Sequence, residues 1–155
     1  MITVNYLKEL LTELEEFRDP TALDYQIKSG DGFDEITAIL ENIRSIVFPC
    51  VVIEDKSSGN FSIEDGPVDT YTIALWVMMQ QTRIEENDNS EIFRTAFALM
   101  KKIVVLLIRE QESGTPSVAS LDISRMPYNK RLGGPNCLGY ELLLTFRENI
   151  ELSYE

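Results

Sequence analysis

The chain of 155 residues contains no histidine. That removes the commonest general base and metal ligand, and with it every Ser-His-Asp and Cys-His nucleophile arrangement. Cysteine is scarce. Cys50 and Cys137 alone make no four-ligand zinc site, no C-x-x-C spacing occurs, and no disulfide framework is expected. Cys50 falls in an apolar run, where a thiol acts as a small hydrophobe. Long apolar runs are missing as well. The longest, Ile103–Ile108, is far short of the roughly 20 residues that span a bilayer, and Lys101, Lys102 and Arg109 bracket it. The opening MITVNYLKELLTELEEF has neither the basic start nor the apolar stretch of a secretory leader. A reducing cytoplasm is the expected location, and the glycosylation-type triplet Asn60-Phe61-Ser62 carries no weight there.

Positive charge is also in short supply, with 14 Lys and Arg against 26 Asp and Glu, a net charge of −12. Such a surface repels nucleic acid and anionic membranes unless bases cluster locally, so neither is expected as a direct partner. The glycines offer no phosphate cradle. Gly133-Gly134-Pro135 matches neither G-x-x-x-x-G-K-[ST] nor G-x-G-x-x-G and reads as a bend. Asp31-Gly32-Phe33-Asp34-Glu35 lacks the alternating oxygen ligands of a calcium loop and reads as a helix cap. A chain this acidic always permits some carboxylate pair. Yet Glu54-Asp55, Glu64-Asp65 and Glu85-Glu86 fall at strand ends or links and read as solvated turns. The expectation is a protein with no cofactor, no metal and no catalytic residue.

What is present is pattern. Hydrophobic residues make up 44% and charged residues 26%, values that suit one soluble globular domain over residues 1–155. The most informative stretch is Asp88–Glu112, where apolar residues from Ile92 to Ile108 cover more than half of a helix circumference. The remaining strip holds Glu91, Arg94, Thr95, Ala98, Lys101, Lys102, Val105 and Arg109. Asp88 and Glu91 have capping-box spacing, and Gly114 and Pro116 end the helix. A first helix over Leu7–Phe17 stops at Asp19-Pro20. Leu23, Tyr25 and Ile27 alternate as in a short half-buried strand or an extended arm, Ser29-Gly30-Asp31-Gly32 reads as a turn, and Phe33, Ile36, Leu40 and Ile43 mark a helix to about Ser45.

Strands dominate the middle and the end. Val47–Ile53 is apolar and β-branched, with Pro49 at its start or on an edge. Lys56–Asn60 reads as a hairpin connection, Phe61–Asp65 returns, and Gly66-Pro67 breaks the run. Val68–Gln80 is apolar on both faces and so must be covered on both, by the long helix on one side and by N-terminal helices or a neighbouring subunit on the other. Thr82–Asn87 is a polar link. Leu121 and Ile123 alternate as in a one-sided strand, Pro127–Gly139 is a turn-rich loop, and Tyr140–Asn149 is the last strand. The order predicts an α+β fold: a mostly antiparallel sheet with a long helix packed across one face, plus N-terminal helices.

Two groups of residues are candidates for recognition. Arg125, Tyr128, Lys130, Arg131 and Leu132 bring positive charge and exposed-looking apolar groups into one loop. That loop is either scattered surface charge or an oligomer or partner interface meeting the acidic face of an identical neighbour. Tyr71, Trp76 and Met78 are either core or one face of a small-molecule or peptide site.

In order and size, the segments Leu7–Phe17, Phe48–Asp55, Asp69–Gln80 (DTYTIALWVMMQ), Glu91–Arg109 and Gly139–Arg147 (GYELLLTFR) resemble the layout of bacteriophage tail-terminator and tail-completion proteins and related tail-tube and neck proteins. Those are small cytoplasmic α+β domains that open with an amphipathic helix and carry a helix across the sheet. The extra segment Thr21–Ser45 departs from the simplest form of that layout. The resemblance implies a structural, non-enzymatic virion or prophage protein. It would form a homo-oligomeric ring, a hexamer in the usual case, that caps the tail tube and joins it to the neck. It also implies tail-tube and neck proteins as partners, with channel-facing acids that let DNA slide past.

Overall fold

The computed structural model describes residues 4–64, 66–81, 89–132 and 137–151. Leu7, Leu10 and Leu11 bury one stripe of the opening helix, α1 (Val4–Leu11). The expected continuous helix to Phe17 breaks here. Thr12 to Leu14 take up tighter three-residue hydrogen bonds, the Thr12 hydroxyl donates to the Glu9 carbonyl, and a 3-10 turn follows over Glu15–Phe17. The break turns the acid-rich segment onto the long helix, where Glu13 pairs with Arg109 and Glu16 with Lys102.

Leu23 and Tyr25 are helical rather than extended, in the single turn α2 (Leu23–Gln26). The cause is local. The Asp19 carboxylate accepts from the Thr21 amide and hydroxyl, and the Asp19 carbonyl accepts from Ala22 and Leu23, which curls the chain before it can extend. The strand β1 occupies Ile27–Gly30, so Ser29 and Gly30 lie in a strand and not in a turn. Next comes α3 (Gly32–Glu41), with Ile36 and Leu40 buried. It stops short of the expected Ser45, and a 3-10 turn covers Ile43–Ser45. Asp31 stands at its N-cap but makes no side-chain capping bond; the Glu35 carboxylate instead accepts from the Asp31 amide.

Past Pro49, β2 (Cys50–Ser62) runs straight through the segment expected to turn, with an irregular register between Glu54 and Ser58. Gly59 has a different task from the one its neighbours suggest. A Cβ there would lie 2.9 Å from the Thr70 carbonyl oxygen, so glycine lets β2 approach its partner closely. The reversal comes later, around Gly66, whose φ of +99° suits glycine. Then β3 (Val68–Gln80) has the predicted bounds.

The long helix α4 (Ser90–Glu112) follows; the predicted cap residue Asp88 and the link Thr82–Asn87 lie outside the described residues. Its C-terminus closes as expected, with the Gly114 amide bonded to Gln111 and the Thr115 amide to Glu110 around Gly114 at φ +78°. Leu121 makes one isolated bridge to Phe146 and no strand, because the Asp122 carboxylate captures the Ser124 amide and hydroxyl in a tight turn. The expected loop from Pro127 contains the strand β4 (Tyr128–Leu132), and β5 (Cys137–Asn149) ends the sheet. Gly133-Gly134-Pro135 lies outside the described residues.

Among the described residues the sheet has five strands in the order β1-β2-β3-β5-β4, antiparallel except for β1 on β2. The fold is α+β. On one face α1 and α4 pack on Tyr71, Ile73, Leu75 and Val77 of β3 and on Tyr140, Leu142, Leu144 and Phe146 of β5. On the other, Ile36 and Leu40 of α3 meet Ala74, Trp76 and Met78. The doubly apolar β3 is thus covered on both faces within one chain.

Candidate functional site

The polar strip of α4 lies in solvent as its spacing predicts: Glu91, Arg94, Thr95, Ala98, Lys101, Lys102, Val105 and Arg109 are all exposed. At the border of that strip, one helical turn apart, stand the half-buried Phe93 and Phe97. They meet the sheet where β4 lies on β5. Register sets what β4 presents there. Tyr128 is paired with Leu142, Lys130 with Tyr140 and Leu132 with Leu138. Tyr128, Lys130 and Leu132 therefore share the α4 face with Tyr140, and Asn129 and Arg131 point to the opposite face.

The rings form one cluster. Tyr140 is 5.7 Å from Phe93, 5.5 Å from Phe97 and 5.7 Å from Tyr128, each edge-on. Phe97 and Tyr128 are 5.4 Å apart. Cations cap it, with Lys130 Nζ 4.6 Å above the Phe93 ring and Lys101 Nζ 5.8 Å above Phe97. Phe93, Arg94, Phe97, Lys101, Lys130 and Tyr140 enclose a cleft of about 350 Å³. Beside it runs an apolar groove of about 440 Å³ lined by Val104, Val105, Ile123, Met126 and Tyr128. Arg94, Lys101, Arg125 and Lys130 make no ion pair with the described residues, in a chain where acids outnumber bases almost two to one.

The backbone at this edge is open as well. The Leu143 amide donates to the Pro127 carbonyl at 2.9 Å, which fixes the alternation of the β4–β5 ladder. By that alternation the main-chain groups of Tyr128, Lys130 and Leu132 point away from β5. Among the described residues no strand pairs with them. Tyr128 is 51% and Leu132 67% exposed.

Of the residues singled out from sequence, Tyr128, Lys130 and Leu132 come together on one face, with Arg125 exposed on the approach to them. Arg131 does not join them. Its Nη2 donates to Glu141 Oε1 at 3.0 Å, and its guanidinium carbon lies 5.8 Å from the Trp76 ring. Tyr71, Trp76 and Met78 are 2%, 1% and 0% exposed and occupy opposite faces of β3. Tyr71 stacks on Phe146 at 5.3 Å and donates to Glu148, while Phe33 lies 5.8 Å from Trp76. All three fill cores.

Sequence reading missed Phe93, Phe97, Arg94 and Lys101 as parts of the site. The only signal was two aromatics four apart, flanked by cations on the same helical side. It also missed a charged group on the α3 face. Burial raises the Glu54 carboxyl above the usual range; the adjacent Trp76 indole N–H offsets part of that without closing a well-formed hydrogen bond, and Glu141 and Asp31 push it up further. Among the described residues no group of three His, Cys, Asp or Glu side chains is placed to hold a metal ion, and no helix is long and apolar enough to cross a membrane. Neither a protein-family model nor a curated protein matches this chain.

Proposed function

We propose that the chain is a structural subunit of a phage or prophage tail, acting through self-association into a closed ring that caps the tail tube and joins it to the neck. The supporting observation is the β4 edge with the adjoining face of α4: among the described residues no strand pairs with the outer side of β4, its apolar side chains are exposed, and Arg94, Lys101 and Lys130 form no ion pair, on a protein of net charge −12. A patch of one sign on a molecule of the other attracts copies of that molecule, and head-to-tail contacts of this kind form a ring when the rotation between neighbours closes on itself. The acids left outside the contact would keep DNA from adhering to a channel wall. The role is mechanical and involves no chemical step.

Sedimentation of the chain, alone and with a phage tail-tube protein, tests this reading. A ring that forms in either case, loosens with added salt and is lost on Lys130→Glu supports it. A monomer in both conditions refutes it. A second reading, a module that binds an anionic small molecule, draws on the cleft of aromatic rings under Lys101 and Lys130. Saturable one-to-one binding of anilinonaphthalene sulfonate, abolished by Lys130→Glu in a monomeric protein, would favour it.

A further inference from the structure

Two apolar features on different elements of the molecule complement each other. The first is the far end of the β2–β3 hairpin. Phe61 and Ile63 are 71% and 69% exposed, the two most exposed large apolar side chains among the described residues. Carboxylates surround them: Asp69 is the cross-strand partner of Phe61, and Glu64 follows directly in the chain. The second is the groove between α4 and β4, where Val105 is 63% exposed and Ile123, Met126 and Tyr128 form the wall. Lys101 lines its rim, and Arg125, next to Met126 in the chain, stands close enough to Asp122 to act on its carboxylate. An acidic knob with two bare hydrophobes thus sits on the same chain as a basic socket with an apolar floor. At about 440 Å³ the socket is in the range that takes small apolar groups.

We propose that the hairpin end of one copy, through Phe61 and Ile63, inserts into the α4–β4 groove of the next copy, with Glu64 facing Lys101 at the rim. This rests on the ring reading above and supplies its contact. Knob and socket are different patches of one surface, so the contact is heterologous and propagates from copy to copy until it closes. The same pairing accounts for both exposed patches, each of which is costly to leave in water. The charges around them set direction, because knob against knob and socket against socket both bring like charges together.

The test uses the full chain in two variants, each blocking one half of the contact. Phe61→Ser/Ile63→Ser removes the knob, and Val105→Glu places a charge in the socket. Both change solvent-exposed side chains, so melting temperatures should stay close to wild type. Native mass spectrometry should show that the wild type assembles and that each variant alone is weakened by about 30-fold or more, as for a central anchor residue. The mixture of the two is diagnostic. The intact knob of the socket variant fits the intact socket of the knob variant, so the mixture should form a two-chain complex and nothing larger. If both variants keep the wild-type assembly while Lys130→Glu dissolves it, the knob-and-socket contact is wrong and the ring reading stands. If an assembly needs the knob but adds only the tail-tube protein, the occupant is that partner and not a second copy. A wild-type chain that never assembles overturns both.

Discussion

Arg131 and Glu141 supply the sharpest test of how the edge strand is held. Their side chains are 40% and 11% exposed and meet at 3.0 Å across the β4–β5 ladder. A buried pair stripped of one partner costs about 3–5 kcal/mol, and an exposed pair contributes about 0–1 kcal/mol. With the carboxylate shielded and the guanidinium half in water, Arg131→Met should cost about 2 kcal/mol. Methionine keeps a long stem over Trp76, so the loss isolates the charge. For a chain of this length that corresponds to a fall in Tm of about 4–8 °C. Trp76 is the sole tryptophan and is 1% exposed, so its fluorescence reports unfolding in urea from the neighbourhood of the pair itself. The double variant Arg131→Met/Glu141→Gln should recover much of the loss, because no buried charge then lacks a partner. The reasoning fails if Arg131→Met costs less than about 0.5 kcal/mol, or if it costs as much with Gln at position 141 as with Glu.

Three further outcomes rest on one backbone clearance and two shielded titrating groups. A Cβ at Gly139 would lie 1.9 Å from the Val77 carbonyl oxygen, so Gly139→Ala should break the β3–β5 ladder and leave the protein largely insoluble; a soluble variant with wild-type Tm would contradict this. Burial holds the Glu54 pKa above its unfolded value, so the protonated carboxyl favours the fold, and that stability is lost as pH rises from the usual carboxylate range through the folded pKa. Glu54→Gln should therefore raise Tm at neutral pH, with the gain vanishing below about pH 4; a gain independent of pH would refute the assignment. Burial, with a smaller push from Cys137, drives the Cys50 thiol up to about 12, so neither buried cysteine should react with dithionitrobenzoate until urea unfolds the chain.

The parts of the fold legible in the sequence are those in which one strong period dominates. Val68–Gln80 has matching bounds because apolar residues on both faces leave only a central strand as an answer. The exposed strip of α4 was readable residue by residue because a long helix repeats its pattern several times over. The illegible parts are those in which a partner decides the state. Tyr-Asn-Lys-Arg-Leu carries no β-branched residue and is a strand only because β5 pairs with it. Lys56–Asn60 has the composition of a turn, yet the chain uses its glycine to pass beneath Thr70 and Tyr71. The candidate site fared likewise. Lys130, Tyr128 and Leu132 were visible as an oddity of charge. Phe93 and Phe97 looked like ordinary core, and only the packing of α4 on the sheet edge makes them the floor of a cationic cleft. Arg131 looked like its neighbour Lys130, and the alternation of a strand sent it to the other side.

The central ladder has a consequence for how the protein is made. Residues 68–80 find their hydrogen-bonding partners in residues 137–149, with the whole of α4 synthesised between them. Until the last strand leaves the ribosome, the most water-averse segment of the molecule has one flank of its backbone unclaimed. Each nascent copy therefore passes through an interval in which its stickiest edge is on offer to any other chain nearby, and that interval closes only when residues 137–149 have emerged to pair with it.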